Sequence, residues 1–80
     1  MKVRVHVTLK NGVLDPQGNA VEHALAELGF SGVYGVRIGR YIEFDIDETD
    51  RDKVSEQSEK MCRKLLANTV IENYQIDVEG

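Results

Sequence analysis

The stretch "KVRVHVTLK" constrains this chain most. Val3, Val5, Val7 and Leu9 alternate with Lys2, Arg4, His6, Thr8 and Lys10. Successive side chains of a strand point to opposite faces, so this alternation of β-branched and polar residues predicts a half-buried strand. The first ten residues hold no continuous apolar run, which argues against a signal peptide or membrane span. A reducing, cytoplasmic setting is the expectation.

The strand runs into "LKNGVLDPQG", a segment with two glycines and the single proline of the chain. Asp15 is suited to cap a helix N-terminus, and Pro16 to open the first turn. Ala20, Val21, Ala24, Leu25 and Leu28 then fall on one helical face. Gly29 suits a left-handed cap, with Phe30 packing back on Leu25. The first helix is predicted over about 16–28.

Tyr34, Val36 and Ile38 predict a second strand, and Ile42, Phe44 and Ile46 a third. A three-residue loop, Gly39-Arg40-Tyr41, pairs Ile38 with Ile42, Val36 with Phe44 and Tyr34 with Ile46, which puts all six apolar groups on one face. It also sets Arg37 opposite Glu43. "ETDRD" predicts a second helix capped by Thr49. Its stripe is Val54, Ser58, Met61, Cys62 and Leu65, and Asn68 suits a left-handed C-cap. A last strand over about 70–78 turns Tyr74, Ile76 and Val78 inward. The order β-α-β-β-α-β, with right-handed crossovers, predicts one α+β domain over residues 1–80. It is a split, ferredoxin-like fold: a four-stranded antiparallel sheet with both helices on one face.

Eighty residues bury roughly 60–65% of their unfolded surface, and chains this short often add a disulfide, a metal or self-association. Cys62 is the single cysteine, so no intrachain disulfide forms. His6, His23 and Cys62 show no metal-ligand spacing. Oligomerisation remains, and a homodimer or tetramer is expected. The uncovered sheet face, with Lys2, Arg4, His6, Arg37, Glu43, Asp45, Gln75 and Asp77, is mixed enough in charge to be either solvated or self-complementary under two-fold symmetry.

The net charge of −4 disfavours nucleic acid as a partner. The exposed strand positions also lack the aromatic pair on which RNA bases would stack. No catalytic set assembles. Ser31 lies eight residues past His23, beyond a helix end, and neither a Gly-x-Ser-x-Gly nor a Walker loop is present. Cys62 falls on an apolar stripe and is expected as a small buried hydrophobe. Glu43, Asp45 and Asp47 share a strand face, where arginines are within reach, so a solubilising role is expected over cation binding. These features predict a binding or assembly module without a catalytic residue or metal of its own.

"LKNGVLDPQGNAVEHALAELGF", "VYGVRIGRYIEF" and "MCRKLLANTVIENY" together resemble the PurS family, the small subunits of phosphoribosylformylglycinamidine synthase. The resemblance spans Val3 to Val78, and "GVLDPQG" and "LLAN-x-VIE" are its most diagnostic pieces. Arg40 stands where lysine is common, and Thr69 where proline is common. The resemblance implies a complex that converts formylglycinamide ribonucleotide, ATP and glutamine to formylglycinamidine ribonucleotide in purine synthesis. In it a PurL synthetase subunit does the ATP chemistry, with magnesium, and a PurQ glutaminase subunit releases ammonia. The small subunit needs no cofactor. It self-associates, bridges the other two and assists ammonia transfer.

Partner contacts are expected where motif residues exceed what folding needs. Asp15 and Pro16 serve the cap, but Gln17 and Gly18 have less structural reason. Glycine in a first helical turn costs up to about 1 kcal/mol against alanine, so another backbone is expected close to Gly18. Arg37, Gly39 and Arg40 fall at the predicted turn, and Asn68 ends the second helix near Val70 and Glu72. An amino-acid-sensing module is the alternative, because ferredoxin-like regulatory domains bind ligands at a loop as rich in Asp, Pro and Gly as "LDPQG". An acylphosphatase-like enzyme fits poorly, since Asn11–Gln17 has no arginine to grip phosphate.

Overall fold

The computed structural model describes residues 1–79. Strand β1 (Lys2–Leu9) is the centre of an antiparallel sheet, between β2 (Gly39–Asp45) and β3 (Glu72–Glu79). Helix α1 (Pro16–Glu27) links β1 to β2, and α2 (Arg51–Met61) lies between β2 and β3. The valines of β1 face α2. Val3, Val5 and Val7 are buried with Val54, Ser58 and Cys62, which recur every four residues along α2 and into the residue that follows it. Ile42 and Phe44 of β2 and Tyr74, Ile76 and Val78 of β3 pack half-buried around this core. Each sits opposite a β1 valine in the ladder, as with Val5 between Ile42 and Ile76.

Helix α2 continues through one π-type turn, Cys62–Leu66, closed by the Ala67 N–H donating to the Cys62 carbonyl at 3.0 Å. The wider turn holds an extra residue and shifts the helical register. Leu66 is consequently half-buried while Leu65 is 84% exposed. This corrects the expected stripe, which had placed Leu65 and Met61 inside.

Several expectations are corrected. Among the described residues the sheet has three strands, not four. Tyr34–Ile38 is not a strand, and the loop Gly39-Arg40-Tyr41 does not exist. Those three residues are strand, laddered against Thr8, Val7 and His6 of β1. Arg37 therefore does not face Glu43. Arg4 takes that place on the outer face, 3.4 Å from Glu43 and 2.7 Å from Glu79. The cap of α2 is Asp50, which accepts from the Asp52 N–H at 3.0 Å, rather than Thr49. Asn68 is not left-handed. The helix stops at Ala67, whose backbone turns extended, and the Asn68 Oδ1 instead accepts from the Val70 N–H at 3.1 Å.

The largest departure is α1. Its bounds match expectation, and Gly29 is left-handed with the Phe30 N–H donating to the Leu25 carbonyl at 3.0 Å. Yet it does not pack beside α2 on the sheet. Gly18 is its one buried residue, and Val21, Leu28 and Phe30 stand exposed. The molecule is correspondingly long, 48 × 25 × 14 Å, with a radius of gyration of 15.9 Å. A compact chain of this length would have one of about 12 Å.

Candidate functional site

The expected partner-contact residues converge where β1 ends and α1 begins. Asp15 is 92% buried, and its carboxylate serves two elements at once. Oδ1 accepts from the Gly18 N–H at 2.9 Å, the N-cap bond that the sequence implied. Oδ2 accepts from the Ile38 N–H at 3.0 Å, which pins the run entering β2 to the helix start. The Arg37 Nε lies 3.5 Å from the same oxygen. The two backbone donors, then the Arg37 charge, hold the Asp15 carboxyl below the usual carboxylate range, against the opposing effect of burial.

Gly18 is explained here. A Cβ at this position would run into the Val36 carbonyl oxygen and the Asp15 carboxylate. The approaching backbone belongs to this same chain. Gly39 is required for the same reason, because a Cβ there would meet the Val7 carbonyl oxygen across the ladder. It was expected in a turn and works inside a strand.

Arg37 donates from Nη2 to the carbonyls of Leu9 at 2.6 Å and Lys10 at 3.1 Å. Those carbonyls belong to the last residue of β1 and the one after it, so Arg37 closes off the strand end. Arg40 shares the inward side of β2 with Ile42 and Phe44. Its Nη2 reaches the Leu66 carbonyl at 2.7 Å and the Glu72 Oε1 at 3.1 Å. Glu72 Oε1 also accepts from the Asn68 N–H at 2.7 Å. That backbone bond, then Arg40, keeps the Glu72 carboxyl below its ordinary range. Arg40 thus ties β2, the end of α2 and the start of β3 together.

A hollow of about 220 Å³ lies between these two clusters, lined by Asp15, Pro16, Gln17, Ile38, Gly39, Arg40, Glu72 and Leu9. Asn68 joins it only through Glu72, and Arg37 stands on its other side, by a separate hollow beside Gly12–Asp15. Sequence reasoning missed Glu72 as a site residue. The available signal was its parity with Tyr74, Ile76 and Val78: a carboxylate on the apolar side of a strand needs a cation, and Arg40 breaks the apolar side of β2 in the same way. An amino-acid ligand would need a free carboxylate for its ammonium, and both Asp15 oxygens are engaged within the chain.

This arrangement is a rigid junction of backbone-anchored charges. Comparison with known proteins supplies its lineage. The family described as "PurS: Phosphoribosylformylglycinamidine (FGAM) synthase" matches residues 2–80.

The chain belongs to the PurS family.

The PurS subunit of Bacillus subtilis is 54% identical over 78 residues, which cover 98% of this chain and 92% of that one. The solved B. subtilis PurS superposes with a TM-score of 0.86 at 53% identity, covering 99% of this chain and 98% of that one. A Methanocaldococcus jannaschii PurS, a subunit of formylglycinamide ribonucleotide amidotransferase in the purine biosynthetic pathway, reaches 0.87 at 45% identity, covering 98% and 94%. A chain in the solved PurLQS of Thermotoga maritima reaches 0.87 at 30% identity, covering 95% of this chain and 93% of that one.

Proposed function

We propose that this chain acts as the non-catalytic adaptor of a phosphoribosylformylglycinamidine synthase complex, bridging a PurL synthetase and a PurQ glutaminase. The observation that carries this reading is its whole-length likeness to a chain of the T. maritima PurLQS structure. The complex would take formylglycinamide ribonucleotide, ATP with magnesium, and glutamine in the cytoplasm. Ammonia released at one active site is protonated or lost unless the consuming site is held in register with it. An adaptor can supply that register through surface contacts alone. It needs fixed backbone and a few anchors rather than a nucleophile or a shifted base.

The junction has that character. Asp15, Pro16, Gln17, Gly18, Arg37, Gly39, Arg40 and Asn68 lie in or beside the connections of β1 to α1, α1 to β2 and α2 to β3, and Asp15, Arg37, Arg40 and Asn68 are bonded to backbone there, so a partner would meet a preorganised surface. The chain acts as one unit and works as a homodimer or tetramer, because α1 offers an apolar stripe that its own sheet does not cover. The test mixes the chain with PurL, PurQ, glutamine, ATP and magnesium. Glutamine-dependent product formation should depend on the chain, while ammonia-supported synthesis by PurL should depend on it far less. Equal glutamine-dependent rates with and without it would end the adaptor reading.

A further inference from the structure

The expected turn at Gly39–Tyr41 leaves the outer face of the sheet without an aromatic pair. The observed ladder supplies one. Tyr41 lies directly across from His6 on the face turned away from α2, and the two rings stack with centroids 4.8 Å apart and planes 28° apart. The stack is braced from the β2 side. The Tyr41 hydroxyl donates to the Glu43 Oε1 at 2.7 Å, and the Arg4 Nε lies 3.4 Å from that same oxygen. Neither ring serves the core, since His6 and Tyr41 are both exposed.

The other face of the imidazole borders β3. There His6, Thr8, Asn73, Tyr74 and Gln75 line a hollow of about 240 Å³. Gln75 is the ladder partner of His6, and Asn73 that of Thr8. Tyr74 turns inward, where its hydroxyl donates to Glu59 at 2.7 Å. The side chains offered to the hollow are therefore an imidazole, a hydroxyl and two carboxamides, which both donate and accept. The chain does not use them itself. Among the described residues, none bonds to the side chains of Thr8, Asn73 or Gln75.

Charge gives the hollow a direction. On one side of it, Lys2 and Arg4 are laddered between four carboxylates, Asp45 and Glu43 of β2 and Glu79 and Asp77 of β3, so that end of the face is net negative. On the other side, the next outward position after Thr8 is Lys10. Its N–H still donates to the Ile71 carbonyl at 2.8 Å, so the strand alternation holds that far. No described acid pairs with Lys10. Arg37, bonded to the Lys10 carbonyl, is offset by Asp15 at 3.5 Å. His6 and Lys10 stand about 13 Å apart along the strand, a span that a sugar, a phosphate and the lysine stem bridge together.

We infer that this face holds a nucleoside monophosphate, its base stacked on His6 and its phosphate toward Lys10. A flat base suits the open imidazole face, because stacking asks only for a π surface. The Asn73 and Gln75 amides and the Thr8 hydroxyl can meet the donors and acceptors of the base edge. A free nucleotide fits better than a strand of RNA, whose backbone would continue past the four carboxylates. The site lies on the sheet face and stands whether or not the chain bridges two subunits.

Titration of adenosine monophosphate (AMP) into the isotope-labelled chain, followed by amide NMR and calorimetry, tests this. One AMP should bind per chain and shift the amides around His6, Thr8, Asn73 and Gln75. Ribose phosphate, which lacks the base, and adenosine, which lacks the phosphate, should each bind at least about tenfold more weakly. His6→Ala should cost a similar factor, and His6→Phe should recover most of it, since a phenyl ring also stacks. Lys10→Ala should bring AMP down to the level of adenosine and leave adenosine unchanged. Both positions lie outside the core, so the variants should keep the parent's spectrum elsewhere. No binding of AMP, GMP, CMP or UMP at millimolar concentration overturns the site. Ribose phosphate binding as well as AMP, or His6→Ala binding as well as the parent, overturns the stacking and leaves only charge attraction. A short single-stranded oligoadenylate that binds more tightly than AMP overturns the free nucleotide as the ligand.

Discussion

The Val36 carbonyl oxygen occupies the space that a side chain on residue 18 would need. This contact joins the first turn of α1 to the run that enters β2, and Asp15 bonds both sides of it. Gly18→Ala should therefore force the two backbones apart, at a cost of about 1–3 kcal/mol. Thermal unfolding checks this: a melting temperature equal to the parent's would mean that the junction yields freely.

Acid should loosen the same junction and two other places in the fold. Asp15, Glu43 and Glu72 all have carboxyl groups held below their ordinary range in the folded chain. The unfolded chain thus binds protons that the folded chain resists. Their stabilisation is fully present above the ordinary carboxylate pKa and is lost as pH falls through the depressed folded values. Asp15→Asn should lower the melting temperature at neutral pH and flatten its decline in acid. A parallel decline for both proteins would remove Asp15 from the acid response.

Ser58 is fully buried, and its hydroxyl has no hydrogen-bond partner among the described residues. A polar group buried this way costs free energy that alanine does not. Ser58→Ala is expected to stabilise the chain by about 1 kcal/mol, readable in chemical denaturation as a raised midpoint with an unchanged slope.

Arg40 is bound to a carbonyl and a carboxylate while its side chain stays half-exposed. Arg40→Ala should weaken assembly with the partner subunits about tenfold, roughly 1.4 kcal/mol. Arg40→Lys should recover only part, since lysine lacks the planar fork. Titration of the chain into the two-subunit mixture, followed by glutamine-dependent rate, measures it. Saturation at the parent's concentration would take Arg40 out of the contact surface.

The legible parts of this fold were those set by local chemistry. The valine alternation of β1, the Asp15 cap with Pro16 behind it, and Gly29 at the end of α1 each act within a few residues. The supposed hairpin failed for a definite reason. Ile38, Ile42 and Phe44 share a face across a three-residue turn, and they also share one along a single straight strand. Periodicity cannot separate the two. Gly39 tipped the reading toward a turn, whereas its small size serves a close approach to Val7 inside the ladder. The site followed the same division. Asp15, Gly18, Arg37 and Arg40 were flagged by type and place, but Glu72 emerged only from the crossing of β2, β3 and the end of α2. The π-type turn that exposes Leu65 left no trace in the four-residue spacing of Val54, Ser58 and Cys62.

The protruding α1 also changes how the protein moves through water. A slab of 48 × 25 × 14 Å meets more friction than a sphere of equal mass. A single copy would therefore leave a sizing column early and imitate a heavier particle. A dimer in which α1 is covered would be rounder for its mass and gain less in apparent size than doubling suggests. The two species converge in elution volume, so scattering intensity or sedimentation, which weigh the particle, are the measurements that tell one copy from two.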